Sequence, residues 1–195
     1  MTGWTFVGSV LLLAVAYLLM SGFLTAWRRF RGTRVITCPE NLEPAAVRVD
    51  ALQAAKWQAI AGETSLRLTT CSRWPEMQGC GQECLSQIEA APEQCLVRNI
   101  VARWYTGKHC VYCGEGVGEI VWHERPPALR APDKTSREWK EIAPEQLPVV
   151  FATYQPVCWK CHVLESFRRE HPDLVVERRH PAEPHPVLQP SVAVY

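Results

Sequence analysis

An α+β fold is expected, with an N-terminal transmembrane helix followed by a small metal-stabilised domain. Three features predict it: an uncharged apolar run of 24 residues near the amino terminus, short strand- and helix-period segments beyond it, and two C-x-x-C pairs among nine cysteines.

The apolar run, WTFVGSVLLLAVAYLLMSGFLTAW, extends from Trp4 to Trp27. As a helix it rises about 36 Å, more than the roughly 30 Å of a bilayer's hydrocarbon core. Tryptophan at both ends suits the membrane interface, where an amphipathic ring is favoured. A cleaved signal peptide would carry a basic start, a shorter apolar run and a small-x-small site, whereas the opening MTG has no side-chain charge. Residues 1–27 are therefore expected to be a retained anchor, with the lipid bilayer as partner. A basic juxtamembrane segment, 28–37, follows. Arg28, Arg29, Arg31 and Arg34 lie after the span, and no Lys or Arg precedes it. Positive charge stays on the cytoplasmic side, so the amino terminus is expected outside and the soluble body in the cytoplasm. A reducing compartment disfavours structural disulfides, which turns attention to metals.

The cysteine-rich soluble domain is expected over 38–180. Val35 and Ile36 precede a turn at Cys38–Asn41, and AAVRVDA then alternates as a strand does. LQAAKWQAI reads as a short helix ended near Gly62, and Leu66–Cys71 as another strand. CGQECLSQIEA, after the turn-like SRWPEMQG, is open to a helix, and APEQCLVRNIVARWY reads as a helix from Pro92 with Leu96, Ile100, Val101 and Trp104 on one face. A tight turn at Gly114 leads to an expected strand, EIVWH, and a further short strand is expected around Glu138 to Ile142. PEQLPVVFATY suggests one or two helical turns broken at Pro148. HVLESFRREH reads as a helix stopped by Pro172, and LVVERR as a last strand. The tail, 181–195, carries four prolines and is expected to be disordered.

Chemistry concentrates in the cysteines. Cys110-Val-Tyr-Cys113-Gly and Cys158-Trp-Lys-Cys161 each let two thiolates turn toward one ion, and Gly114 permits the tight return. The first pair precedes a strand and the second opens a helix. This order resembles treble-clef and zinc-ribbon metal sites, where a knuckle supplies two ligands and the first turn of a later helix two more. The resemblance covers roughly 108–171 and implies zinc bound by Cys110, Cys113, Cys158 and Cys161. Four thiolates leave no open position on the metal, which points to structure rather than catalysis.

Cys158, Cys161 and His162 also spell C-x-x-C-H, the attachment signature of haem c. Met1, Met20 and Met77 all lie upstream, so no methionine follows the motif as a second axial ligand. His171 and His180 remain as axial candidates. A second metal or cluster is open to Cys38, Cys71, Cys80 and Cys84, the last two sharing a face if CGQEC is helical. Spacing alone does not separate zinc from an iron–sulfur cluster. Cys95 is the spare thiol, while His109 and His123 are weaker substitutes for a cysteine ligand. Six tryptophans, Trp57, Trp74, Trp104, Trp122, Trp139 and Trp159, are expected to build core.

No nucleotide-binding glycine loop, G-x-S-x-G or H-E-x-x-H occurs, and no catalytic residue is assigned. A net charge of +1 does not indicate a nucleic-acid partner. The runs CSRWPEMQGCGQECLSQIEAAPEQCLVRNIVARWYTGKHCVYCG and PVCWKCHVLESFRREHPDLVV resemble a family of uncharacterised bacterial, membrane-anchored, cysteine-rich proteins. That resemblance implies an inner-membrane location and no particular activity. The expected function is that of an anchored zinc-binding structural or interaction module, with another protein or membrane complex as partner. An iron–sulfur redox protein and an anchored c-type cytochrome are the alternatives.

Overall fold

The computed structural model describes residues 2–77 and 79–175. The expected tail, 181–195, lies outside them, as do His180 and most of the LVVERR segment. Helix α1 (Thr2–Phe30) leads into a mixed helix-and-sheet body. Within α1, Phe6–Phe30 is long and apolar enough to cross a membrane, and every side chain from Phe6 to Met20 is exposed.

The helix does not stop at Trp27. Its last two turns enter the body, where Ala26 and Phe30 are buried and Phe23 and Trp27 pack beside them. Arg34 closes this end. Its guanidinium is fully buried, with Nη1 donating to the carbonyls of Phe30 at 2.6 Å and Gly32 at 3.1 Å, and Nη2 to that of Arg29 at 2.5 Å. These are carbonyls a helix terminus leaves unpaired, at the negative end of the helix dipole.

Strands β1 (Thr33–Thr37), β2 (Pro44–Val49) and β3 (Leu68–Cys71) form an antiparallel sheet in that order. Thr37 pairs with Pro44 and Val47 with Cys71, with a register shift at Arg48/Val49. Ala45, Val47 and Val49 alternate inward against α2 (Ala51–Ala61). Asp50 caps α2 through the Gln53 amide, and Gly62 ends it at φ +73°, a conformation glycine adopts without steric cost. Ala54 and Ala55 are wholly buried, which lets α2 pack closely on α1.

Beyond this core, α3 (Leu85–Ala90) and α4 (Val97–Tyr105) are shorter than expected. Residues 80–84 are not helical. Gln82 sits at φ +60°, so Cys80 and Cys84 do not share a helix face. EIVWH is not a strand either; a single bridge, Val121 to Arg125, folds it into a turn. The second antiparallel sheet is β5–β4–β6, from β4 (Ala128–Arg130), β5 (Ser136–Glu138) and β6 (Gln155–Val157). A 3₁₀ turn occupies Trp139–Glu141, where strand was expected to continue. Pro148 does not break its helix. It lies in the first turn of α5 (Leu147–Thr153), where a missing N–H costs nothing. Helix α6 (Trp159–Glu170) closes the body, and Pro172–Leu174 is a 3₁₀ turn.

A second core gathers Val101, Tyr105, Leu129, Leu147 and Val150 under Trp104, Trp122, Trp139 and Phe151. Trp104 stacks on Phe151 at 5.2 Å, and Trp139 donates its indole N–H to the Tyr105 hydroxyl. Trp57, by contrast, is half exposed on α2.

Candidate metal centre

The two C-x-x-C pairs arrive from separate elements. The 110–114 knuckle forms because Gly114, at φ +72°, turns back to donate to the Cys110 carbonyl at 2.9 Å. Cys110 N–H reaches the Glu115 carbonyl at 2.8 Å, and a bridge pairs His109 with Gly116. Val111 then donates to the Pro156 carbonyl of β6 at 2.9 Å, laying the knuckle against the second sheet. Cys158 follows β6 directly as the extended N-cap of α6, and Cys161 lies in that helix's first turn.

The four sulfurs of Cys110, Cys113, Cys158 and Cys161 all lie within 4.8 Å of one another. Cys113 and Cys158 are 3.8 Å apart. A tetrahedron of sulfurs about 2.3 Å from zinc has edges of about 3.8 Å, so the spacing fits a tetrathiolate ion. Cys110 is buried, Cys113 exposed, and the other two are intermediate.

The electrostatics suit a cation. Burial opposes ionisation of the Cys110 thiol, but backbone N–H groups at Cys158, Cys113 and Tyr112 outweigh it and bring the thiol down to about 7. Burial first, and then the crowding of neighbouring sulfurs, pushes Cys161 far up; burial also raises Cys158. Without an ion the four thiolates cannot all form, whereas a divalent cation reverses that preference. The N-terminus of α6 adds positive partial charge beside Cys158 and Cys161. The donor set therefore fits zinc or another thiophilic metal.

Protein-family models, curated proteins and solved structures contain no match to the chain. The chemistry of the centre therefore rests on its own geometry.

His162 is buried one residue beyond Cys161. Its Nδ1 shares a 2.6 Å hydrogen bond with the Ser136 hydroxyl, and its Nε2 lies 3.6 Å from Glu138 Oε1. Both partners belong to β5, so the ring ties the ligand-bearing helix to the second sheet. Glu138 is held below the usual carboxylate range, chiefly by a hydrogen bond from Lys140 and further by His162. Sequence reading missed the Ser136–His162–Glu138 chain, because nothing in a three-residue strand marks its inward positions. His109 and His123 are exposed and stand outside the sulfur group.

Of Cys38, Cys71, Cys80 and Cys84, Cys80 lies in the turn that leads to Cys84, and the other three belong to the core of the first sheet. Cys38 and Cys84 are buried in it and Cys71 packs against it, but their sulfurs do not meet within 4.8 Å as the first set do. Cys95 stands apart, its thiol donating to the Pro92 carbonyl at 3.4 Å.

Proposed function

We propose that the chain is a single-pass membrane protein whose cytoplasmic domain is held together by zinc and serves as an interaction or assembly module. The 3.8 Å Cys113–Cys158 spacing within a compact four-sulfur group carries the zinc reading. Four thiolates close the coordination sphere and leave no position for substrate. Binding releases thiol protons and gives a complex of formal charge −2, which the α6 N-terminus and nearby amides stabilise.

Arg28, Arg29 and Arg31 are exposed just beyond the apolar run, which supports a cytoplasmic body. Arg34, withdrawn into the helix cap, leaves that count. A module that works through partners gains support from α6, where Val163, Leu164 and Phe167 stand exposed one turn beyond the ligands. The haem reading is less favoured, since both His162 ring nitrogens are engaged by β5.

Metal analysis of the full chain, purified anaerobically in detergent, tests the proposal. A fragment starting at Thr33 is unsuitable, because it discards Ala26 and Phe30 from the core. At least one zinc per chain, with folding lost on chelation, is expected. Less than half a zinc, with folding indifferent to chelators, sinks the proposal, as does a brown preparation carrying iron and acid-labile sulfide at this centre. A reporter fused after Tyr195 should be active in the cytoplasm; periplasmic activity reverses the orientation.

A further inference from the structure

We infer that Cys38, Cys71, Cys80 and Cys84 form a second four-thiolate metal site, built into the core that receives the end of α1. The inference is independent of the first centre and rests on different residues.

Three segments distant in sequence, each carrying one or two of these thiols, are tied to one another by side-chain hydrogen bonds. Gln87, one turn into α3, holds Thr37 through both its amide and its carbonyl, at 3.1 and 2.7 Å. That clamp sets Cys38, the next residue, beside the helix that Cys84 precedes. Gln82 accepts from the Leu68 amide at 3.0 Å, tying the Cys80–Cys84 turn to the strand that ends in Cys71. Cys38 and Cys84 are both buried in the same cluster, with Cys71 against it.

The turn itself has the features of a metal knuckle. Gln82 adopts a left-handed conformation, unusual for a residue with a side chain, and its N–H donates to Cys80 Sγ at 3.3 Å. An amide aimed at sulfur favours the thiolate. Two residues beyond Cys71, Arg73 keeps its Nε–H buried without a partner. Its Nη atoms already face Glu43 and Glu76 at 3.5 and 3.8 Å, and a metal–thiolate complex would give the remaining N–H an acceptor.

The sulfurs are more widely spread than those of the first centre, and coordination would draw them together. Cys95, in the same core but outside the set, supplies an internal control.

The test uses the full chain, purified anaerobically, with metal stoichiometry measured beside thiol alkylation mapped by mass spectrometry. Two metal equivalents are expected, with Cys38, Cys71, Cys80 and Cys84 protected at least tenfold relative to Cys95 and released by chelator. Cys80→Ser should remove one equivalent and leave Cys110, Cys113, Cys158 and Cys161 protected. Zinc or iron with sulfide at this set would both support the site, and elemental analysis distinguishes them. A single equivalent in the wild type, with the set alkylated as fast as Cys95, overturns it. So does a disulfide within the set, or a Cys80→Ser variant that keeps both equivalents. Loss of protection at the first four cysteines alone would instead count against the first centre.

Discussion

Cys113→Ser is the sharpest perturbation of the first centre. The side chain is exposed and the replacement nearly isosteric, so the metal-free fold should be unaffected. What changes is one corner of the sulfur tetrahedron, 3.8 Å from Cys158. Structural zinc binds with about 10–16 kcal/mol near neutral pH. A fourfold-shared contribution puts one thiolate at roughly 2.5–4 kcal/mol, a loss of about two to three orders of magnitude in affinity. Because the ion binds the folded chain preferentially, the same amount should leave its stability at fixed free zinc well above the dissociation constant. Competition against a chromophoric chelator gives the affinity, and denaturant unfolding with and without zinc gives the stability. Cys95→Ser serves as the control. If Cys113→Ser binds zinc within tenfold of the wild type, or loses as much stability without metal as with it, the tetrathiolate reasoning fails.

Arg34→Met should lower stability by about 2–4 kcal/mol, since one buried and two part-buried carbonyls lose a charged donor. Arg34→Lys should recover only part of this, because an ammonium lacks the planar fork. A loss below about 0.5 kcal/mol in detergent-phase unfolding would remove the capping role. Glu138 is a carboxylate whose folded value lies below its ordinary 4.5, so its contribution is present at neutral pH and fades as pH falls below that value. With Lys140 exposed and the pair screened by solvent, the effect should be small. The metal-free wild type should therefore lose stability more steeply than Glu138→Gln on the acid limb, and parallel curves would refute the pairing.

The parts legible in the sequence are those with long or complete local signals. The apolar run has 24 residues to declare itself, Gly62 ends α2, and Pro172 follows His171, the C-cap of α6. Alternation in AAVRV was readable because one face of β2 is buried and the other is not. Strand β4 had no such pattern, since Ala128 and Leu129 are both fully buried between neighbouring strands. A three-residue strand buried on both faces carries no period. EIVWH looked like a better strand, yet the β5 and β6 partners pair with β4 instead. CGQEC was open to a helix because nothing in its composition announces the left-handed Gln82. Arg34 read as one of four surface arginines, and only tertiary context shows it inside. The first four-sulfur centre was visible from spacing because C-x-x-C is itself local geometry.

The smallness of one core shows what a metal at the first centre would add. The cluster around the first centre has only Cys110, Ala128 and Val157 fully inside, with Val111, Cys158 and Cys161 packed at its margin. Half of those residues are the ligands themselves. The remaining alanine and two valines supply on the order of 3–6 kcal/mol of apolar burial, well below what a structural zinc contributes. Knuckle, β6 and the start of α6 meet there through few apolar contacts, so the ion would be the main reason they meet. The first sheet is better provided, with the end of α1, α2 and three inward residues of β2 closing on one another. A metal at the first centre would therefore govern whether the knuckle, β6 and the start of α6 are joined, while the first sheet and the core under Trp104 keep apolar packing of their own. The structure that a metal would govern includes the start of the helix carrying the exposed Val163, Leu164 and Phe167, so the placement of that apolar surface would depend on whether the centre is filled.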